Sequence, residues 1–472
     1  MKRIAIIGGG ISGLAAAYVI EKKRQSGTPV EYILFESSPR LGGVLLTDHV
    51  EGCVIEGGPD SFLTEKPWAA DLCGKIGLDD QLIGSNDSER KTYIVAKGKL
   101  VETPDGLMFM VPTKIMSTAR SPLFSLGTKI RMAAEWFRPP RKASEDETVA
   151  DMVKRHYGPE MVELLADPLL CGIYGGEASQ LSVRAVLPRL ADMESKHGSF
   201  GRAMVKARKK TVAEPNVQAR PLFTSLKDGM QQMVDALVAR LDAKALKTAA
   251  PVQALIRQDN GWTVCAGYKT DHFDAVIIAT PAHAAAGMLQ TADEKLARDL
   301  GEINYSSSVT VTLGYDEKVR RALPPGFGFL VPRSEGHRML AATFVHNKFP
   351  HRAPENRALI RCFLGGARDE QILESSEKEI LQIVHGELRQ IIGVALDAEP
   401  LFARVYRWKS AMAQYSVGHL ERLQRIESLR QECPGLALAG NGYNGIGVPD
   451  CVRSGSEAAS KILAEMGMWS AA

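Results

Sequence analysis

Four short apolar runs stand out from a chain that otherwise mixes apolar and polar positions: Arg3–Ile7, Val30–Phe35, Ala275–Ala279 and Gly435–Ala439. Runs of this length, rich in β-branched residues and without a polar face, predict strands buried on both sides of a parallel sheet. They lie at the two ends of the chain and in its middle. If they share one sheet, the domain holding it is discontinuous and the segments between are insertions. The first insertion, roughly 80–215, follows a helical period. Thr148 is placed to cap an amphipathic helix carrying Met152, Val153, His156 and Tyr157, and Gly158-Pro159-Glu160 opens another through Leu165. The second, about 300–410, alternates like strands at Ser308–Leu313 and Ala358–Leu364. Lys206–Asn216, basic and then Ala-Glu-Pro-Asn, is expected to be a mobile loop.

The chemistry enters at the glycines. Gly8-Gly9-Gly10-Ile11-Ser12-Gly13 satisfies G-x-G-x-x-G between the first strand and a helix predicted over Leu14–Lys22. Such glycines allow a tight turn and close backbone approach to a pyrophosphate, and the helix N-terminus offers that anion free N–H groups. Glu36 closes the second strand, where a carboxylate would bind ribose hydroxyls. Ser37, Arg40, Gly42 and Gly43 then form a second glycine turn with a guanidinium, which suits a long dinucleotide across the sheet and points to FAD rather than NAD. Glu56 precedes a third turn, Gly57-Gly58-Pro59-Asp60. Near the end, Gly440-Asn441-Gly442-Tyr443 follows a strand, and Val448-Pro449-Asp450 begins a helix whose dipole would face the flavin's pyrimidine edge. The predicted class is α/β, with a Rossmann-type FAD-binding domain over 1–79, 220–300 and 405–472. A mainly helical insertion, 80–219, has some strands near its start, and a mixed-sheet substrate domain spans 301–404.

Composition removes other classes. Lys plus Arg number 58 against 55 acidic residues, a net charge of +3, which is too balanced for a nucleic-acid partner. The seven cysteines are scattered singly, and no His/Cys grouping suggests a metal. The apolar N-terminal run is broken by glycines, so it reads as a strand and not a secretion signal, and no apolar stretch is long enough to span a bilayer. The expectation is a cytoplasmic protein. Leu126–Lys142 places Ile130, Ala133, Ala134 and Phe137 on one face, with Lys129, Arg131, Arg138, Arg141 and Lys142 around it and Trp136 beside. That pattern suits peripheral contact with an anionic membrane. The alternative is a helix packed inward with a solvated basic rim.

Taken together, these residues make the chain resemble the protoporphyrinogen/coproporphyrinogen oxidase family of FAD-dependent, monoamine-oxidase-like flavoproteins, from residue 4 to about 465. The most specific segments are Glu56–Phe62, Asp167-Pro-Leu-Leu-Cys-Gly-Ile-Tyr-Gly-Gly176 and Gly440–Gly455, joined by Gly326–Pro332 and Phe349–Pro354. The resemblance implies flavin contacts at Gly8–Gly13, Glu36, Gly42, Gly43, Gly57–Asp60, Val252, Trp408 and Val448–Asp450. It implies a tetrapyrrole between apolar side chains, with Leu330 and Phe363 at two such positions and Thr343 where plant-type members have leucine. Gly172 matches a backbone position facing the pyrrole N–H groups, and Arg90 or Lys91 stands where those members hold a propionate. Read without the resemblance, Leu330 and Phe363 would be plain core, and Lys91 a solvated charge.

The chemistry so implied is removal of six electrons from a porphyrinogen through FAD, with dioxygen as acceptor and hydrogen peroxide as product. No catalytic acid or base is expected, because the cofactor carries the reaction. Protoporphyrinogen IX is the leading substrate. Coproporphyrinogen III, with two more propionates, is the close rival, and Arg184, Lys196, Arg90 and Lys91 are candidate anchors. More distant readings are an amine or carotenoid oxidase and a non-catalytic flavin or porphyrin carrier. The chain lacks a C-terminal Ser-Gly-Gly-Cys-type turn for covalent attachment, so FAD is expected to be non-covalent. The resemblance also brings in a homodimer as a candidate assembly.

Overall fold

The structure, a computed structural model, describes the whole chain except residues 109, 142–144, 213–219, 394–395 and 470–472. It divides into two compact units. One comprises Met1–Ser85, Pro221–Tyr305 and Glu421–Ala472, and the other Asn86–Arg220 and Ser306–Leu420.

The first unit is built on a five-stranded sheet in the order Leu246–Lys247, Val30–Phe35, Lys2–Ile7, Ala275–Ile278, Leu436–Leu438. All its pairings are parallel. The four apolar runs are its four longest strands; the two-residue edge strand at Leu246 is too short to leave a pattern. Alternation inside the runs decides which face each side chain feeds. Ile4, Ile6 and Ile277 join the helices Ile11–Gln25, Trp68–Lys75, Gln231–Val238 and Val448–Glu465. Ala5, Ile7, Val276 and Ile278 pack instead against Leu255, Trp262 and Val264 of an antiparallel three-stranded sheet and the helices Ala282–Leu289 and Glu294–Gly301. Burial on both faces explains why the strands read as continuous apolar runs.

The second unit carries a seven-stranded sheet in the order Phe402–Ala413, Tyr305–Asp316, Arg357–Gly365, Met339–Phe344, Gly328–Leu330, Thr92–Ala96, Lys99–Glu102. One face is closed by the helix Glu377–Ile392, which Ser376 and Glu379 start with a reciprocal capping box. The helical insertion belongs to this same unit and does not stand as a separate domain. Its strands at Thr92 and Lys99 complete the sheet, which ties the two insertions together. Likewise the strand through Trp408 is the sheet's edge, so the first unit's last segment begins at Glu421 and not at 405.

Within the insertion, Thr148 caps Val149–Tyr157 by accepting from the Asp151 N–H at 3.0 Å, and Met152, Val153, His156 and Tyr157 are buried on one face. The helix opened by Pro159 continues past Leu165 through a π turn, Val162–Ala166, to Tyr174. Two expectations fail. Lys206–Val212 is the end of a helix, Phe200–Val212, and not a loop, while 213–216 lies outside the described residues. The amphipathic helix stops at Glu135, ahead of Pro139-Pro140, and its apolar residues point outward. Leu126, Ile130 and Phe137 are 74%, 61% and 81% exposed, whereas Thr128, Met132 and Glu135 face inward. The helix thus packs inward through Thr128, Met132 and Glu135, the last held by a buried polar network, and leaves Ile130 and Phe137 exposed. Lys142 lies outside the described residues.

Candidate functional site

In the first unit the glycine loop has the geometry that a dinucleotide requires. Gly8 has φ +107°, and a Cβ at Gly13 would lie 1.9 Å from the Gly8 carbonyl oxygen, so both positions admit only glycine. Gly10 differs: its φ is −70° and a Cβ there would meet nothing within 4 Å. The space over Gly10 is open. Gly43 lines it, since a Cβ there would come within 3.2 Å of the Gly10 Cα, and Gly10 and Gly42 form a parallel bridge. Ile11 begins the first helix with Ser12 and Gly13 in its first turn.

Glu36 sits beside this loop. One carboxylate oxygen accepts from the Gly9 N–H at 2.6 Å and the other from the Ser38 N–H at 2.8 Å, with the Ser37 hydroxyl at 3.3 Å. The oxygen that faces Gly9 keeps lone-pair capacity for a hydroxyl. Arg40 turns onto its own loop, donating to the carbonyls of Leu41, Gly43 and Leu45. It thus shapes the second glycine turn. The segment leading to Val252 runs alongside, with Ala249 N–H donating to Ser38 and Ala250 N–H to Glu36.

The third turn is equally constrained. A Cβ on Gly58 would fall 1.8 Å from the Val44 carbonyl oxygen, and Gly57 N–H donates to Leu46. Pro59 and Asp60 follow, with the Asp60 carbonyl accepting from the Ser225 hydroxyl at 2.6 Å. Glu56 is buried and serves the scaffold, receiving Met230 N–H and the Thr47 hydroxyl, each at 2.8 Å. The last helix opens at Val448 with Pro449 in its first turn. Gly455 lets it close on the first helix, for a Cβ there would lie 2.0 Å from the Ser12 carbonyl oxygen. The Asp450 carboxylate is buried and paired with Lys66 at 2.6 Å and Arg453 at 3.8 Å. No side-chain cap hydrogen bond forms at Gly447, the N-cap of this helix.

The second unit groups the residues expected to meet a tetrapyrrole. Register places Leu330 opposite Ala341, Ala341 opposite Phe363, and Phe363 opposite Thr310. The next row on the same face runs Gly328, Thr343, Arg361, Thr312. Their neighbours Phe329, Ala342, Cys362 and Val311 point the other way, into the core beneath helix Glu377–Ile392. Leu330, Thr343 and Phe363 are the half-buried members of strands that are otherwise mostly buried. Gly172 joins them: a Cβ on it would lie 3.8 Å from Leu330 Cδ2. It falls in the last turn of Asp167–Tyr174, where carbonyls run out of i+4 amide partners.

Other expected residues fall elsewhere. Lys91 faces Glu102 at 3.5 Å, and Glu102 pairs with Tyr93, whose side chain belongs to the core-packed face. Strand parity thus turns Lys91 away from Leu330, and Arg90 is exposed in the preceding turn. Lys196 pairs with Asp192 on an exposed helix surface. Trp408 stands half-buried on the edge strand of the seven-stranded sheet. The sequence pattern does not single out Arg361, a cation buried to 4% exposure with its guanidinium 4.9 Å from the Phe363 ring centroid. The signal is its place two residues before Phe363 in an alternating strand.

Residues 11–463 match the family described as flavin containing amine oxidoreductase. The chain belongs to this family. It is an FAD-dependent oxidoreductase, and the open space over Gly10 at the N-terminus of the helix Ile11–Gln25 fits that cofactor. Within the flavin containing amine oxidoreductases it is 34% identical over 473 residues to a coproporphyrinogen III oxidase of Bacillus subtilis, covering 98% of each chain. It is 28% identical to protoporphyrinogen oxidase 2 of Arabidopsis thaliana, over 98% of this chain and 94% of that one. A solved structure from Exiguobacterium sp. 255-15 superposes with TM-score 0.87 at 29% identity, covering 99% of both chains. Cyclohexylamine oxidase from Brevibacterium oxydans shares the fold, with TM-score 0.71 at 17% identity over 99% of each chain.

Proposed function

We propose that the protein oxidises a porphyrinogen to the porphyrin with dioxygen as acceptor, one porphyrinogen and three dioxygen giving one porphyrin and three hydrogen peroxide. The observation that carries this reading is the sheet face on which Leu330, Thr343 and Phe363 are left half-buried beside Gly172. The apolar faces of the pyrrole rings of a puckered macrocycle are matched by such a wall, and the Gly172 carbonyl is placed as an acceptor for a pyrrole N–H. Bound FAD supplies the two-electron acceptor, and the chain's own residues position the macrocycle and shield it from water. Gly8–Gly13, Glu36, Gly42, Gly43, Gly57–Asp60 and the Val448 helix end are the residues assigned to hold it, without a covalent bond. Denaturation in acid should release all the flavin into the supernatant.

Coproporphyrinogen III is favoured as substrate, because the 34% relative carries that name. Protoporphyrinogen IX is the second reading, supported by the plant relative at 28%. The direct test is anaerobic. Adding coproporphyrinogen to the flavin-loaded protein should bleach the flavin absorbance near 450 nm and admit of recovery on exposure to air. An unbleached flavin with both porphyrinogens would count against the reading.

Peripheral membrane contact belongs to the same proposal. Met116, Leu126, Ile130 and Phe137 are 64%, 74%, 61% and 81% exposed, and Lys129, Arg131 and Arg138 flank them. Exposed apolar side chains rimmed by cations suit an anionic lipid surface. No helix among the described residues is long and apolar enough to cross a membrane. The protein should sediment with anionic vesicles, and Ile130→Ser with Phe137→Ser should abolish this; a wild-type protein left wholly in the supernatant would refute it.

A further inference from the structure

The helix Asp167–Tyr174 meets the sheet face lightly where Gly172 stands. Outside its own helix, a Cβ on Gly172 would meet only Leu330 Cδ2, at 3.8 Å. Pro168, Leu170 and Cys171 are buried, whereas Gly172 and Ile173 are exposed. The polar contacts that tie this helix to the sheet are at its two ends. At the C-terminal end, Ala367 N–H donates to the Gly175 carbonyl at 2.8 Å and the Gln414 amide to that of Tyr174 at 2.7 Å. Gly366 lets the turn come so near, for a Cβ there would lie 2.9 Å from the Gly175 oxygen.

At the N-terminal end the tie is ionic. Arg368 donates through Nη2 to Asp167 Oδ2, and the two side chains are only 9% and 19% exposed. Asp167 Oδ1 accepts from the Ala178 N–H at 3.0 Å, so the carboxylate also fixes the chain that leaves the helix. Arg368 ends the short turn Gly366–Arg368 that follows the strand of Phe363, and its Nη1 lies 3.5 Å from the carbonyl oxygen of Val331, the residue after Leu330. One guanidinium thus joins the helix of Gly172, the strand of Phe363 and the chain beside Leu330. A π turn, Val162–Ala166, ends immediately before Asp167. Such turns are rare and gather at functional sites.

We infer that Arg368 and Asp167 are positioning residues, which set the spacing between the Gly172 carbonyl and the wall of Leu330 and Phe363 and so the width offered to the macrocycle. The inference rests on the porphyrinogen reading above. The pair acts through the helix and not on the substrate. Removing either partner leaves the other buried and uncompensated, and the helix shifts to relieve it. What moves is the contact with the ring, which both porphyrinogens share, so the effect falls on ring binding and not on the choice between substituents.

The test compares wild type, Arg368→Met, Arg368→Lys and Asp167→Asn, each loaded with FAD, in steady-state oxidation of both porphyrinogens, with flavin content and melting temperature measured for each. Displacing a site element through its support predicts a roughly 3- to 30-fold rise in KM for Arg368→Met and Asp167→Asn, with kcat per bound flavin within about twofold of wild type. The rise should be equal for the two substrates. Arg368→Lys, which keeps the charge beside Asp167 but gives up the reach to Val331, should recover part of the loss. Combining Arg368→Met with Asp167→Asn should be no worse than either change alone. A merely structural pair would lower the melting temperature and the flavin-loaded fraction and leave KM unchanged, and that result, or a rise confined to one substrate, overturns the inference. If Arg368→Met fails to fold, Arg368→Lys and Asp167→Asn decide by the same KM criterion. A wild type inactive on both porphyrinogens would remove the porphyrinogen reading and this inference with it, whereas an active wild type beside variants of unchanged KM removes the inference alone.

Discussion

At the scale of single residues, glycines of the same loop have different reasons to be glycine, and the difference is measurable. Gly13 is required by the fold, because a methyl group would collide with the Gly8 carbonyl. Gly13→Ala should therefore cost about 1–3 kcal/mol of stability even without cofactor, read by denaturant unfolding. Gly10 has an ordinary backbone conformation and empty space beside it. Gly10→Val should leave the apoprotein as stable as wild type, yet weaken FAD binding at least about tenfold, read by flavin titration. A Gly10→Val protein that keeps full flavin affinity would show that the space is not the pyrophosphate's. The glycine spacing was legible in the sequence, but the distinction between these two roles was not, since it depends on what each Cβ would touch. The same holds for Arg361 against Lys91. Both are basic residues in or beside strands in the linear text, and only cross-strand parity tells which one shares a face with Phe363.

At the scale of elements, the helical insertion is tied by a buried polar network that pattern reading does not reach. His156 is stacked on Phe200 at 4.0 Å between ring centroids, with Nδ1 3.3 Å from Glu135 and Nε2 3.0 Å from Glu194. Arg155 joins Glu194 at 2.8 Å to Glu147, and Glu135 also accepts from Phe200 N–H at 2.6 Å. These contacts link helices Leu126–Glu135, Val149–Tyr157 and Pro188–His197. They also explain why an apolar stripe on the first of them faces out: its carboxylate must face in. Burial alone would raise the Glu194 carboxyl, but hydrogen bonds from His156 and Arg155 outweigh it and hold the group at about 2, against an ordinary 4.5. A carboxylate depressed in the folded state stabilises it above the unfolded value and loses that effect as pH falls. The melting temperature should thus drop between about pH 4.5 and 2, and Glu194→Gln should show a flatter profile there. At neutral pH the same variant should be destabilised by about 3–5 kcal/mol, as expected when one partner of a buried pair is removed. A variant as stable as wild type at both pH values would mean the network holds nothing together.

At the scale of the whole molecule, the sequence discloses the parallel sheet, because strands buried on both faces leave uninterrupted apolar runs. It discloses much less of the seven-stranded sheet, whose strands come from 92–102 and 305–413 and whose pairing joins residues over two hundred positions apart. Long-range register is not written in local periodicity, which is why the helical insertion looked like a domain of its own. The functional reading nevertheless depends on that sheet, since its register gathers Leu330, Thr343 and Phe363 on one face beside Gly172. The most direct test of the central claim is porphyrin fluorescence followed in air, with FAD-loaded protein and coproporphyrinogen III or protoporphyrinogen IX, beside protein-free autoxidation controls and a peroxide assay. A rise above autoxidation, faster with coproporphyrinogen and accompanied by three peroxides per porphyrin, is the predicted result. A fluorescence rise no faster than autoxidation with either substrate would contradict the account.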